Sequence, residues 1–248
     1  MIIRKSRKEI ALMRQAGRIL AQVLAELKEQ VKPEVTTHYL ETVAASELRK
    51  HHVQSAFRGY RGFPGELCVS VNDEIVHGIP GDRLLKEGDV VSLDAGVVFH
   101  GYIADAAITV PVGHVAPETQ RLLKVTETSL EVGISRAVPG GYVGDIGAAV
   151  QGHVESHGFS VVREYSGHGV GRDLHEEPLV PNVGSPCTGP LLEKGMTLAI
   201  EPMVNAGGWK TRLSGNGWTV LSADGSLSAH FEHTVVVTDG GAEVLTQL

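Results

Sequence analysis

Four carboxylates stand in stretches that otherwise read as buried β-strand. Asp94 follows Val90-Val91-Ser92-Leu93, Asp105 sits in Ile103-Ala104-Asp105-Ala106-Ala107, Glu201 follows Leu198-Ala199-Ile200, and Glu232 precedes Thr234-Val235-Val236-Val237. Side chains alternate across a strand, so residues two apart share a face. On that rule Val91, Leu93 and Val97 oppose Asp94, which shares its face with Ser92 and Gly96. Asp105 shares its face with Ala107 and Thr109, Glu201 with Thr197 and Ala199, and Glu232 with Thr234 and Val236. Taken singly, each acid reads more readily as part of a solvated strand face. A solvated face usually carries Lys, Arg, Gln or several Thr, whereas these faces carry mostly small residues, Ala, Gly and Ser. Buried carboxylates are costly unless paired with cations. No Lys or Arg lies in these strands, so metal ions are the simplest neutraliser.

His168, in Ser166-Gly167-His168-Gly169-Val170-Gly171, is flanked by glycines that let the backbone approach closely and leave the imidazole unobstructed. Alone, a histidine in a Gly-rich turn reads as structural; beside four carboxylates it is a candidate ligand. His77, in Val76-His77-Gly78-Ile79-Pro80, and His175, in Leu174-His175-Glu176-Glu177-Pro178, occupy similar loop positions. Spacing leaves ligand, proton shuttle and substrate contact open for both. Four carboxylates and one imidazole suit two divalent first-row ions, Mn(II), Fe(II) or Co(II) before Zn(II), because the donor set is rich in oxygen. Such a pair, about 3.5 Å apart, can share a water, lower its pKa and polarise a carbonyl.

These residues need elements to hold them. Ser6-x-x-Glu9 reads as a capping box, followed by a helical stripe of Ile10, Met13, Ala16, Leu20, Val23, Leu24 and Leu27 that stops before Pro33. Thr36 or Thr37 caps a second helix to about Lys50, with Leu40, Val43, Ala44 and Leu48 inward. Residues 57–65 read as a loop. Strands are expected at 67–71, 89–98, 102–112, 159–164, 196–204, 217–222 and 229–237, with helices at 117–135 and 143–157 and an irregular Pro/Gly-rich excursion over 172–194. A weak repeat runs through the chain. Leu84-Leu85-Lys86-Glu87-Gly88 precedes Asp94 by the offset at which Leu191-Leu192-Glu193-Lys194-Gly195 precedes Glu201, and Gly113 and Gly240 stand equally far beyond Asp105 and Glu232. The pattern predicts an α+β protein of two similar halves about a pseudo-twofold axis.

The 248 residues suffice for one compact catalytic domain, expected over 1–248. A net charge of −7 gives no support to general nucleic-acid binding. No apolar run reaches the length of a membrane helix, and MIIRKSRKEI lacks the apolar core of a signal peptide. The two cysteines are too few for a disulfide framework. A cytoplasmic protein is expected.

The chain resembles the methionine aminopeptidases of the wider "pita-bread" metallopeptidase group. The matching stretches are Cys68-Val-Ser-Val-Asn72-Asp-Glu-Ile-Val-His77-Gly-Ile-Pro80, Asp94 with Asp105 eleven residues on, Gly167-His168-Gly-Val-Gly-Arg172, His175-Glu-Glu-Pro178, Ile200-Glu201-Pro-Met-Val-Asn-Ala-Gly207 and Glu232-His-Thr-Val-Val-Val-Thr-Asp239. The resemblance implies two αβ halves around a curved antiparallel sheet. It implies two metal ions held by Asp94, Asp105, His168, Glu201 and Glu232, with Asp105 and Glu232 bridging. Glu201 matches the general base, and His77 and His175 the histidines that contact substrate and stabilise the tetrahedral intermediate. The methionine pocket maps to Phe57, Tyr60, Phe63, Cys68, Leu174 and Trp218. Phe57 and Leu174 depart from the bacterial pattern, in which a small residue or Cys and a Phe are common. The implied reaction removes the initiator methionine from nascent polypeptides with a small second residue, by a monomer, with ribosome contact left open. Thirty residues between Glu201 and Glu232 leave no room for the helical insertion of type II members, so the chain looks like a short type I form.

Three rivals compete. A prolidase or aminopeptidase P of the same group normally carries a substantial N-terminal domain. A non-catalytic module on this fold would have lost ligands. A carboxylate-pair glycosidase fits poorly with an aromatic fraction of 5%, which offers little for sugar stacking.

Overall fold

The computed structural model describes residues 1–248. Ser6 caps helix α1 (Arg7–Gln30) with both reciprocal bonds of the capping box in place, and Thr36 caps α2 (Thr37–Lys50). Strands β1 (Gln54–Ser55), β2 (Cys68–Val71), β3 (Glu74–Val76), β4 (Val90–Phe99) and β5 (Tyr102–Pro111) follow, then α3 (Pro117–Ile134) and α4 (Val143–Ser156). The remainder is β6 (Ser160–Val161), β7 (Ser166–Gly169), β8 (Glu176–Pro181), β9 (Thr197–Ile200), β10 (Met203–Asn205), β11 (Thr211–Leu213), β12 (Val220–Ser222), β13 (Ser228–His230), β14 (Glu232–Thr238) and β15 (Gly241–Val244). No helix is long and apolar enough to cross a membrane.

The main sheet has nine strands, in the order β1-β4-β5-β14-β9-β7-β8, with β2 on β4 and β15 on β14. Alternation sorts its faces as expected. Val91, Leu93 and Val97 of β4 and Ala104, Ala106 and Val110 of β5 pack in one core with Ala16, Leu20, Val23 and Leu27 of α1 and Leu40 and Ala44 of α2. Leu198 and Ile200 of β9 and Val235 and Val237 of β14 pack with Leu130 of α3 and Ile146 of α4. Each half thus buries an apolar strand face under its own helix pair and leaves the acidic face on the other side.

The repeat survives in the backbone. Gly88 and Gly195 both adopt left-handed conformations, at φ 90 and 88. Leu84 bridges Thr36, just before α2, and Leu191 bridges Tyr142, just before α4. Leu85 and Leu192, next in line, are both buried.

Several expected strands differ from the structure for definable reasons. The expected strand 196–204 breaks at Glu201-Pro202, where proline has no N–H for a ladder. The expected 229–237 parts at Phe231. Residues 217–219 are turn rather than strand, because Asn216 Oδ1 accepts the backbone N–H groups of Trp218 and Thr219 at 3.0 Å. Of 159–164 only β6 is strand. The excursion at 172–194 contains β8, masked by Pro178 and Pro181; it lies at the sheet edge, where proline is tolerated. The Gly-rich segment around His168 is strand β7 rather than turn. Its glycines allow close approach: a Cβ on Gly167 would lie 2.3 Å from Ala199 O, and one on Gly169 2.3 Å from Glu177 O.

That contrast sets a test. Gly167→Ala should force β7 off β9 and destabilise by about 1–3 kcal/mol, as overpacking does. Gly152→Ala, in α4 with open space around its Cβ position, should gain about 1 kcal/mol of helix propensity. Thermal melting should lower one Tm and raise the other; equal Tm values would show that β7 has slack.

Candidate active site

Register alone brings the acids together. Ala107 of β5 is directly opposite Asp94 of β4 on one side and Glu232 of β14 on the other. Opposite residues point to the same face, and Asp105 is two residues from Ala107. His168 of β7 is opposite Ala199 of β9, which is opposite Thr234 of β14, two residues beyond Glu232. Glu201 follows β9 two residues after Ala199. All five candidate ligands therefore belong to one face of one sheet.

Thr234 and Thr109 clamp the junction of the halves. The Thr234 hydroxyl accepts from Asp105 N at 2.9 Å and donates to Asp105 O at 2.8 Å. The Thr109 hydroxyl accepts from His230 N at 2.8 Å and donates to His230 O at 2.7 Å. Each replaces a pair of backbone ladder bonds beside the Ala107–Glu232 pair.

Asp94, Asp105, His168 and Glu232 are buried, and the Glu201 side chain is 13% exposed. Ligand atoms of Asp105, His168 and Glu232 lie within 4.8 Å of one another. His168 Nε2 is 3.4 Å from Glu201 Oε1 and 3.8 Å from Asp105 Oδ2. Burial pushes the Asp94 carboxyl up to about 7. Burial, reinforced by the neighbouring acids, holds Asp105, Glu201 and Glu232 well above the usual carboxylate range. Burial lowers His168 to about 3, so the ring is neutral. Its Nδ1 lies 2.9 Å from Gly169 O, which puts the proton there and leaves the Nε2 lone pair facing the acids.

Asp94 Oδ1, Asp105 Oδ1 and Glu232 Oε1 have no hydrogen-bond partner, although buried polar atoms nearly always have one. Asp105, Glu201 and Glu232 make ion-pair contacts only with histidines, and Asp94 makes none; no Lys or Arg pairs with any of the four. Hard oxygens left over, a neutral imidazole and no Lys or Arg paired with the acids fit divalent metal binding.

These five residues line a cavity of about 160 Å³ with every other residue expected at the site. Phe57, Tyr60, Phe63, Cys68, Leu174 and Trp218 supply its remaining wall, with His77 and His175 among them. Phe63 meets Trp218 edge-on at 5.2 Å. Burial, then the charges of Asp94 and Asp105, raise the Cys68 thiol well above its ordinary value, so it stands there uncharged. His77, at φ 60, turns its ring edge-on to Tyr165 and Trp218. Burial and the nearby His175 lower its pKa to about 4. His175 stacks on Tyr60 with its Nδ1 2.7 Å from the phenol oxygen, and its ring centre is 4.2 Å from that of His168. Its pKa is lowered by burial and by Arg61.

Two residues escaped the sequence reading. Arg61 lines the cavity from the loop after Tyr60. His230 is 2% exposed, with Nε2 3.7 Å from Glu201 Oε2 and 4.0 Å from Glu232 Oε2. Its one sequence signal was nearness to Glu232, two residues on, since the strand itself breaks at Phe231.

The profile of metallopeptidase family M24 matches residues 11–239. Methionine aminopeptidase 1 of Bacillus subtilis is 49% identical over 248 residues, covering all of both chains. The crystal structure of the methionine aminopeptidase of Thermotoga maritima superposes with a TM-score of 0.99 at 46% identity, again over all of both chains. The prolidase of Pyrococcus furiosus, at 19% identity and a TM-score of 0.81 over 99% of this chain and 66% of its own, shares the fold. The pita-bread arrangement is thus common to both groups, whereas high identity along the full length is found with the aminopeptidases. The chain belongs to metallopeptidase family M24 and, within it, to the methionine aminopeptidases.

Proposed function

We propose that residues 1–248 form one catalytic unit that removes methionine from the N-termini of newly made polypeptides whose second residue is small. The observation that carries this is the set of four carboxylates and neutral His168, buried but for a small part of Glu201 and paired with no Lys or Arg, in the wall of a partly apolar cavity. Asp94, Asp105, His168, Glu201 and Glu232 would hold two divalent ions, with Mn(II), Fe(II) or Co(II) preferred to Zn(II). Bound there, the ions would lower the pKa of a water and polarise the scissile carbonyl.

The chain's own groups do the rest. Phe57, Tyr60, Phe63, Cys68, Leu174 and Trp218 enclose the methionine side chain and exclude water. Glu201 takes the proton of the attacking water and returns it to the leaving amine. With Tyr60 O–H donating to Nδ1 of His175, the proton of that ring resides on Nε2, available to the developing oxyanion; His77 serves it as a second neutral donor. Every one of these groups comes from one chain, so a monomer suffices. Cys68 and Cys187 are free thiols, in keeping with a reducing cytosol.

The direct test is hydrolysis of Met-Ala-Ser, Met-Ile-Ser and Xaa-Pro peptides by the metal-reconstituted protein. Release of methionine from the first alone is expected, and preference for Xaa-Pro would overturn the reading. His168→Ala should abolish turnover and weaken metal binding, measured by calorimetry. Wild-type turnover in that variant would refute the ligand set.

His175→Ala should behave differently, with metal content retained and kcat reduced about 10²–10³-fold, the usual effect of losing one positioned donor. Loss of metal in this variant would make His175 a ligand instead.

Metal removal should couple to pH. Asp94 titrates near 7 when folded without metal, against about 3.9 in an unfolded chain. The folded state then binds more protons than the unfolded, so this group's contribution to stability is full below about pH 4 and falls as pH rises toward 7. Divalent ions would take the place of those protons. The Tm difference between metal-loaded and EDTA-treated protein should widen from pH 5 to pH 7.5; a constant difference would show that the acids are not desolvated.

A further inference from the structure

Glu201 lies between two imidazoles. Its Oε1 is 3.4 Å from Nε2 of His168 in the cavity wall, and its Oε2 is 3.7 Å from Nε2 of His230. His230 does not line the cavity; it stands behind the carboxylates. It is 2% exposed, and neither ring nitrogen has a hydrogen-bond partner. A buried side chain with both polar atoms unpaired is uncommon in a folded protein. The carboxylates beside it also have unpaired oxygens, Asp94 Oδ1, Asp105 Oδ1 and Glu232 Oε1.

The backbone beneath the ring is fixed. The Thr109 hydroxyl bonds both the N–H and the C=O of His230, and His230 is paired in register with Met203 on the other side. The direction of the ring is therefore set by the strand. Carboxylate acceptors lie only on the Nε2 side, so the tautomer that satisfies them carries its proton on Nε2.

We propose that His230 is a positioning residue, whose Nε2–H is donated to Oε2 of Glu201 and fixes that carboxylate for its role at the cavity. A modest rotation of the Glu201 carboxylate closes 3.7 Å to hydrogen-bond distance. Donors behind a ligating carboxylate set its orientation and basicity. The ring holds one oxygen of Glu201 and leaves the other to the cavity. Glu232 Oε2, at 4.0 Å, is the neighbour the same N–H would reach if Glu201 swung away. This inference rests on the role given to Glu201 above.

Two variants of similar size separate positioning from filling. In His230→Gln the amide nitrogen reaches the place of Nε2; in His230→Asn it stops near that of Nδ1. Each full-length protein would be stripped of metal and titrated with Co(II) alone, reading stoichiometry, affinity and visible absorption. Then kcat and KM would be measured on Met-Ala-Ser. His230→Asn should bind the wild-type number of Co(II) ions with an altered absorption spectrum. It should lose about 10–100-fold in kcat or metal affinity, with KM little changed. His230→Gln should restore spectrum and kcat. Wild-type spectrum and kcat in His230→Asn would overturn the proposal, as would a His230→Gln protein no better than His230→Asn. Loss of one Co(II) per chain in both would make His230 a ligand and overturn it equally. Failure of the wild-type control to bind Co(II) or cleave the peptide would instead remove the reading of Glu201 itself.

Discussion

Four carboxylates, three buried and Glu201 nearly so, share one face of a sheet with no Lys or Arg paired to them, and much of the structure follows from that. Desolvation favours their protonated forms, as the raised pKa values record. Such a cluster persists only if something binds it strongly enough to offset the desolvation. Small neighbours make room for that something. Ala107 lies between Asp94 and Glu232, Ala199 beside His168, and Gly96 opposite Asp105. Helices cover the other face, so the apolar core and the polar cluster share strands without sharing a side.

The rigidity of the cluster comes from where the two halves join. The β5–β14 contact is short in backbone hydrogen bonds, and threonine hydroxyls continue it in the same register on both sides of Ala107. A slip by one residue would turn Asp105 and Glu232 to the helical face. The hydroxyls therefore act on register, and through register on the distances among the acids. Each half supplies two acids in matching positions, and neither half alone closes the cluster.

The sequence revealed the parts governed by periodicity and missed those governed by tertiary contact. The four helices end within a residue or two of expectation, because capping residues and apolar stripes are local signals. Alternation put each acid opposite its bulky neighbours, and the Leu-Leu/charged/Gly repeat disclosed the two halves. The strand character of 166–169 was hidden because glycine there serves close approach to Ala199 and Glu177, which no local pattern reports. β8 was hidden because its prolines are allowed only by its edge position. Asn216 turned Trp218 out of a strand by a side-chain bond invisible to periodicity. His230 was overlooked for a similar reason: the chain passes at Phe231 from the sheet of β13, β10 and β6 to the main sheet, and the approach of His230 to Glu201 and Glu232 is a tertiary contact.

The cavity wall obeys a different rule from the metal-binding face. The acids are held by strand register, whereas His77, Leu174, His175 and Trp218 come from loops between strands and Tyr60 from a single 3-10 turn. Loops tolerate change that a paired strand does not, so pocket shape can vary without disturbing the charged set. Phe57 shows where the two meet. A Cβ on Gly96 would lie 2.8 Å from the Phe57 ring and 3.0 Å from Ala56 Cβ, so the ring rests in the space that glycine leaves. Gly96 shares its strand face with Asp94 and is paired with Asp105. An aromatic residue at 57 thus depends on glycine at 96, and it brings an apolar surface directly against the acidic face. Phe57 and the acids line one cavity, so the ring adds apolar surface to the surroundings whose low polarity raises the cost of leaving those carboxylates without a cation.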